Sequence, residues 1–203
     1  MHRTAAAALA LGLLAGPLAA PAAAQAQPGS RTLTVGAQVA PSAIDPHYHN
    51  TTQNNALLRQ IYEPLFELSN RREIQPRLAE SMRALDEHTW EVKIRPGVRF
   101  HDGTPFEAED IAWTFARVPT VPNSPALFTP QVRTISAIEI KDPTTVIIRT
   151  REPNPLMYFD MAGPVILSRR VHGAGGPSPA TSDFNSGRLA IGTGAYRFAS
   201  FSH

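Results

Sequence analysis

The chain has 203 residues, 42% of them hydrophobic, which suits one large or two small domains. Its 19 basic residues face 17 acidic ones, and the basic residues (17 Arg, 2 Lys) are scattered rather than blocked, so composition gives no electrostatic argument for nucleic acid. There is no Cys, which excludes disulfides and a thiol nucleophile.

Residues 1–24 read as a secretory signal peptide. His2-Arg3 precede the apolar run from Ala5 to Leu14, and Ala22-Ala23-Ala24 form a small-residue cleavage site before Gln25. The run is too short and too interrupted by Pro for a membrane span, and its single Arg is no twin-arginine signal. No Cys is present to carry a lipid anchor, so the mature protein is expected free in the periplasm, without membrane insertion after cleavage. Its 18 basic residues then nearly balance 17 acidic ones. Residues 25–30, with Pro28-Gly29, read as a mobile tail.

Leu33, Val35 and Ala37 alternate with Thr32, Thr34 and Gly36, which predicts a first strand. Residues 40–50 hold Pro41, Asp45 and Pro46 and form a loop at that strand's carboxyl end, where open α/β sheets bind ligands. From Asn54 to Tyr62 the spacing is helical, with Leu57, Ile61 and Leu65 on one side. Leu78, Met82 and Leu85 predict a short helix over 76–85.

Trp90, Val92 and Ile94 alternate with charged residues as a half-buried strand does, until Pro96-Gly97 breaks the run. Val98 to Phe100 predict a second short strand paired with it as a hairpin. His101-Asp102-Gly103-Thr104-Pro105 is then a tight turn. Ala108, Ile111, Ala112 and Phe115 share one helix face, and the helix should end before Pro119. Glu107, Glu109 and Asp110 crowd its first turn, where negative charge meets the positive end of the helix dipole.

The run FHDGTPFEAEDIAWTF, Phe100 to Phe115, is similar to the signature of the extracellular solute-binding proteins, family 5, which serve ABC importers of oligopeptides, dipeptides, nickel and related solutes. The agreement covers sixteen consecutive positions and departs at Glu107, where the family more often has Thr or Asn as the helix cap. AIDPHYHN (43–50) and IYEPLFEL (61–68) look like the family's opening block.

Beyond the signature, Pro122, Pro125 and Pro130 argue against regular structure over 121–130. Ile138 and Ile140, a turn at 141–145, and Val146 to Thr150 predict a hairpin, and Asn154-Pro155 a helix start for 156–161. Val165 to Val171 predict a strand, and 173–179 a flexible loop. Ile191 to Arg197, IGTGAYR, is similar to the GTGPY element with which the family re-enters its first lobe, Ala195 standing in for Pro.

The resemblance implies an α/β fold, a periplasmic-binding-protein-like clamshell of the class II type. It implies part of the first lobe at 31–68, a small α+β second domain at 69–160 and a return to the first lobe at 161–203. On this reading the chain is the front portion of a longer protein and carries one wall of a ligand cleft. The resemblance further implies a solute, peptide first, and a membrane permease of an ABC importer as partner, with no cofactor and a monomer at full length. A nickel or other small-solute carrier, and a periplasmic peptide sensor or chaperone outside transport, are the alternatives.

Several residues have competing readings. Tyr48, His49, Asn50, Thr51 and Thr52 are candidate ligand contacts above the first strand's end, against an ordinary surface loop. Phe128 is a candidate to stack on a peptide side chain, against packing inside the small domain. His47 and His49 as a metal pair lack the further ligands zinc requires, so no metal residues are assigned. His101-Asp102 lacks a nucleophile, with no G-x-S-x-G elbow in the chain, so a secreted hydrolase is disfavoured and no catalytic residues are assigned. Asp102 is instead expected to bond the backbone of Gly103 or Thr104. Gly192-Thr193-Gly194 lacks the third Gly and the Lys of phosphate cradles, and reads as a close backbone approach.

Overall fold

A computed structural model describes residues 32–174 and 179–201. The signal peptide, the polar tail and residues 175–178 of the predicted flexible loop lie outside the described residues. Residues 32–36, in a unit separate from the rest, have no regular structure, and Leu33 and Val35 are 78% and 76% exposed. The strand predicted there is absent, because a strand exists only with a hydrogen-bonded neighbour and none of the described residues pairs with this segment.

From residue 37 onward the chain forms one body. Its main sheet is antiparallel, in the order β3-β4-β6-β5, built from β3 (Ala79–Ala84), β4 (Thr89–Ile94), β5 (Ile135–Asp142) and β6 (Thr145–Thr150). The β5–β6 hairpin matches its prediction, with Ile138 opposite Ile148 and Ile140 opposite Val146. Strand β4 lies inside the sheet, Val92 pairing with Met82 on one side and Val146 on the other. A two-stranded ribbon, β1 (Phe66–Leu68) with β2 (Ile74–Pro76), stands apart from this sheet.

Helix α2 (Ala108–Arg117) buries Ala108, Ile111 and Phe115 against the sheet and gives way to a 3-10 turn, Val118–Thr120, that contains Pro119. Its start is held by Asp110, whose carboxylate accepts the Glu107 N–H at 2.8 Å and the Arg169 N–H at 2.7 Å. Glu107, the N-cap residue, forms a capping box with Asp110 and also pairs with Arg170 at 2.7 Å. Phe66, Val92, Ile94, Phe100, Phe106, Phe115, Ile148 and Met157 share one core with these residues. Each such side chain, once fully buried, contributes roughly 1.5–3 kcal/mol.

A second core gathers Ile44, Leu58, Ile61, Tyr62, Leu167, Phe184 and Leu189. It joins α1 (Thr52–Leu58) to the chain after residue 165, where α5 (Arg169–His172) and α6 (Thr181–Asn185) are single turns or little more. Two other short helices, α3 (Thr129–Val132) and α4 (Met157–Asp160), bracket the β5–β6 hairpin.

Four further sequence expectations are corrected. Residues 79–84 form a strand, not a helix: Leu78 precedes it, Leu85 lies beyond it and is 46% exposed, and a register shift between Ala79 and Ser81 lets Ala79 and Met82 face the same core. Val98 to Phe100 make no hairpin with β4, both of whose edges are already taken; they hold only an isolated bridge, Arg99 to Pro105. Residues 165–171 make one bridge, Val165 to Pro64, and then turn into α5, capped by the Ser168 hydroxyl. The first helix runs over 52–58 rather than 54–62, since Arg59 to Ile61 already turn.

Candidate functional site

The loop from Ser42 to Thr51 is built over a buried ion pair. Arg117, at the end of α2 and 1% exposed, binds Asp45 with both terminal nitrogens, Nη1 to Oδ1 at 3.1 Å and Nη2 to Oδ2 at 2.7 Å. Asp45 also accepts the His47 N–H at 3.0 Å and the Thr181 hydroxyl at 2.9 Å. The guanidinium lies 4.9 Å from the centre of the Phe184 ring, whose other neighbour is the stacked His172 imidazole at 5.4 Å. A charge pair this deep is supported by such added hydrogen bonds, because each ion has lost its water.

His47 completes the group. Arg117 Nη1 can only donate, so His47 Nδ1 accepts at 2.8 Å, and Nε2–H donates to the Val165 carbonyl at 2.8 Å. Burial, and then the Arg117 charge, push the imidazole down to about 3, so it is neutral in the folded protein.

The upper face of the loop is tied to the segment after α2. Asn50 N–H donates to the Ala126 carbonyl at 2.8 Å beside the His49–Ala126 parallel bridge, and the Ser124 hydroxyl donates to the Tyr48 carbonyl at 2.5 Å. Ser42 Oγ accepts from Asn54 Nδ2 at 3.0 Å and shares a hydrogen bond with His49 Nδ1 at 2.8 Å. Between the two segments opens a concavity of about 330 Å³ lined by Ser42, Tyr48, Asn123, Thr181 and Asn185 among others, with no charged side chain. Asn185 Oδ1 accepts the Ile44 N–H at 2.8 Å, and Asn123 takes a left-handed backbone, φ 56°, which Asn tolerates. Such a surface hydrogen-bonds neutral polar groups.

Of the candidate contacts, Tyr48 lines this concavity, and His49 and Asn50 lie half-buried on the same loop. Asn50 Oδ1 accepts from Asn55 Nδ2 at 2.9 Å. Thr51 caps α1, its hydroxyl accepting the Asn54 N–H at 3.5 Å, and Thr52 is exposed on the first turn. Phe128 is 2% exposed inside the sheet-side core, edge-on to His47 at 6.2 Å, which is the packing alternative. His47 and His49 do not converge, since the first turns into the body and the second bonds Ser42. Among the described residues no three His, Asp or Glu side chains cluster as metal ligands. Asp45, Arg117, Thr181 and Asn185 escaped the sequence reading; the one local signal was an acidic residue inside the block AIDPHYHN.

The signature turn is a clasp rather than a reactive centre. Asp102 accepts the Thr104 N–H at 3.0 Å and the Thr104 hydroxyl at 2.7 Å, as expected of a turn former. His101 N–H donates to the Gly192 carbonyl at 2.8 Å, its Nε2–H donates to the Gly194 carbonyl at 2.8 Å, and Nδ1 accepts the Gly192 N–H at 3.4 Å. Gly194 N–H donates to the Ile61 carbonyl at 2.8 Å, and a Cβ on Gly192 would stand 2.1 Å from that oxygen. The Gly192-Thr193-Gly194 element is thus a close backbone approach.

Comparison with known proteins agrees with this fold. The glutathione-binding protein GsiB of Escherichia coli (strain K12) is 32% identical over 113 residues, 55% of this chain and 22% of GsiB. Among solved structures, NikZ from Campylobacter jejuni, in complex with Ni(L-His), superposes with a TM-score of 0.68 at 22% identity, over 81% of this chain and 32% of NikZ. The oligopeptide-binding protein AppA from Bacillus subtilis, in complex with a nonapeptide, gives 0.68 at 22% identity, over 80% of this chain and 32% of AppA. The chain therefore spans about a fifth of the length of the curated relatives and a third of the structural ones. Residues 73–203 match the model of the bacterial extracellular solute-binding proteins, family 5 Middle, and the chain belongs to that family.

Proposed function

We infer that the chain supplies one wall of the solute cleft in a periplasmic binding component of an ABC importer, with peptide as the leading solute. The observation that carries this reading is the uncharged, hydrogen-bonding concavity beside Tyr48 in a chain of this family. Ser, Thr, Asn and Tyr side chains suit the neutral amides and side chains of a peptide, and bridging water lets one such surface accept varied sequences. The glutathione and nonapeptide relatives support the same class. A nickel chelate is the second reading, favoured by the likeness to NikZ.

Capture proceeds by closure of two lobes over the solute, and the closed form is what a membrane permease receives. Micromolar capture requires about −8 kcal/mol. The export signal read in residues 1–24 and the absence, among the described residues, of any helix long and apolar enough to cross a membrane fit a periplasmic protein.

The test is calorimetry on the full product of the gene that encodes these residues, with di- to nonapeptides, glutathione and nickel-histidine as solutes. Micromolar binding of peptides is expected. Binding of nickel-histidine with no peptide binding would replace the reading by its alternative, and turnover of any peptide would overturn it.

A further inference from the structure

A groove of about 540 Å³ opens between α2 and the edge strand β5. Helix α2 presents Ala112 and Ala116 here, and the half-buried Ile135 and Ile138, over the buried Phe115 and Val132, form an apolar floor. Two features mark this as more than loose packing. Thr129 is among the residues that line the groove, and its hydroxyl is buried from water with no hydrogen-bond partner among the described residues. A buried hydroxyl without a partner is uncommon, and a ligand atom would complete it.

The second feature is charge. Arg133 and Arg151 stand exposed at the rim, and Arg151 Nη1 donates to the Arg133 backbone carbonyl at 3.0 Å. Among the described residues neither lies within ion-pair distance of a carboxylate, whereas the neighbouring Arg149 is taken by Glu139 at 2.6 Å. Asp160, which feels the Arg133 charge, is half-buried and bonded to Asn154. An apolar floor, one orphan hydroxyl and two guanidinium groups at the mouth form a complementary set. It matches a small molecule with an aliphatic or aromatic body and one carboxylate.

We propose that this groove is a second ligand site, separate from the concavity beside Tyr48, and that it takes an amphiphilic monocarboxylate. The body lies on Phe115, Ile135 and Ile138, and the carboxylate meets Arg133 and Arg151. The proposal does not depend on the solute of the cleft.

The test titrates decanoate, with decanol as the uncharged control, into the 203-residue chain and into the full gene product. Calorimetry and methyl NMR shifts are read below the micellar range. Saturable binding of one decanoate, with shifts at Ile135 and Ile138 and none at Thr181, is expected in both proteins. Arg133→Gln with Arg151→Gln, both exposed positions, should weaken decanoate at least tenfold and leave decanol unchanged. Ala116→Leu, which fills the groove from an exposed position, should weaken both. Equal affinity for decanol and decanoate, absence of saturation, or shifts at Thr181 instead would overturn the proposal. So would binding by the short chain that vanishes in the full product, since the groove would then be an intramolecular contact.

Discussion

Arg117 and Asp45 lie 72 positions apart and are both excluded from water, so each charge has the other as its compensating partner. Arg117→Met leaves Asp45 buried and unpaired and is expected to cost about 3–5 kcal/mol in urea denaturation. The double change Arg117→Met with Asp45→Leu should recover much of that loss. By contrast Arg149→Gln, at an exposed pair, should leave the urea midpoint nearly unchanged. His47 adds a pH dependence. The folded protein holds it near 3 against 6.5 when free, so on acidification the unfolded chain takes up the proton first. Its contribution is complete above about pH 6.5 and is lost as pH falls toward 3, and His172, also lowered by burial, acts in the same direction. Asp110 opposes them: burial raises it from 3.8 to about 6, so its contribution is present below 3.8 and lost as pH rises through 6. His47→Gln, which keeps a donor for Val165, isolates one term. Its unfolding midpoint should fall less between pH 7 and pH 4 than that of the parent chain. None of this network was readable in advance, because a loop acid and a helix-end Arg carry no address for each other in local periodicity.

At the scale of elements, the sequence was most informative where one period persisted. Helix α2 followed from Ala108, Ile111 and Phe115, and the β5–β6 hairpin from paired isoleucines around a turn. Strand β3 was missed because Leu78, Met82 and Leu85 are spaced as on a helix, and only pairing with the neighbouring β4 decides between the two. The segments at 33–37 and 165–171 alternate or run apolar as strands do, yet pattern supplies no ladder partner. The glycine element was read as a close approach, and its target is the Ile61 carbonyl. Gly192→Ala sets a methyl 2.1 Å from that backbone oxygen, which cannot rotate away as a side-chain end can. A loss of about 1–3 kcal/mol or more is expected, read as a lowered melting temperature. Gly36→Ala, where nothing lies within 4 Å, should be neutral by comparison.

For the whole molecule, the family signature at residues 100–115 carried the architecture from sequence, while the lining of the concavity was beyond reach. Tyr48 was picked from its loop, but Thr181 and Asn185 arrive from a short helix with no signature of its own. The proposed cleft has one wall in this chain, which spans a third of its structural relatives. Calorimetry with peptides that saturate the full gene product should therefore give no measurable heat with the 203-residue chain. Tight binding by the short chain would place the complete site within these residues.

The core that unites Ile44, Leu58 and Tyr62 with Phe184 and Leu189 has a kinetic consequence. During synthesis its first half emerges long before its second, and loop closure over that separation is slow. The segment from Ile44 to Tyr62 thus lacks its core partners until residues 184–190 have been made.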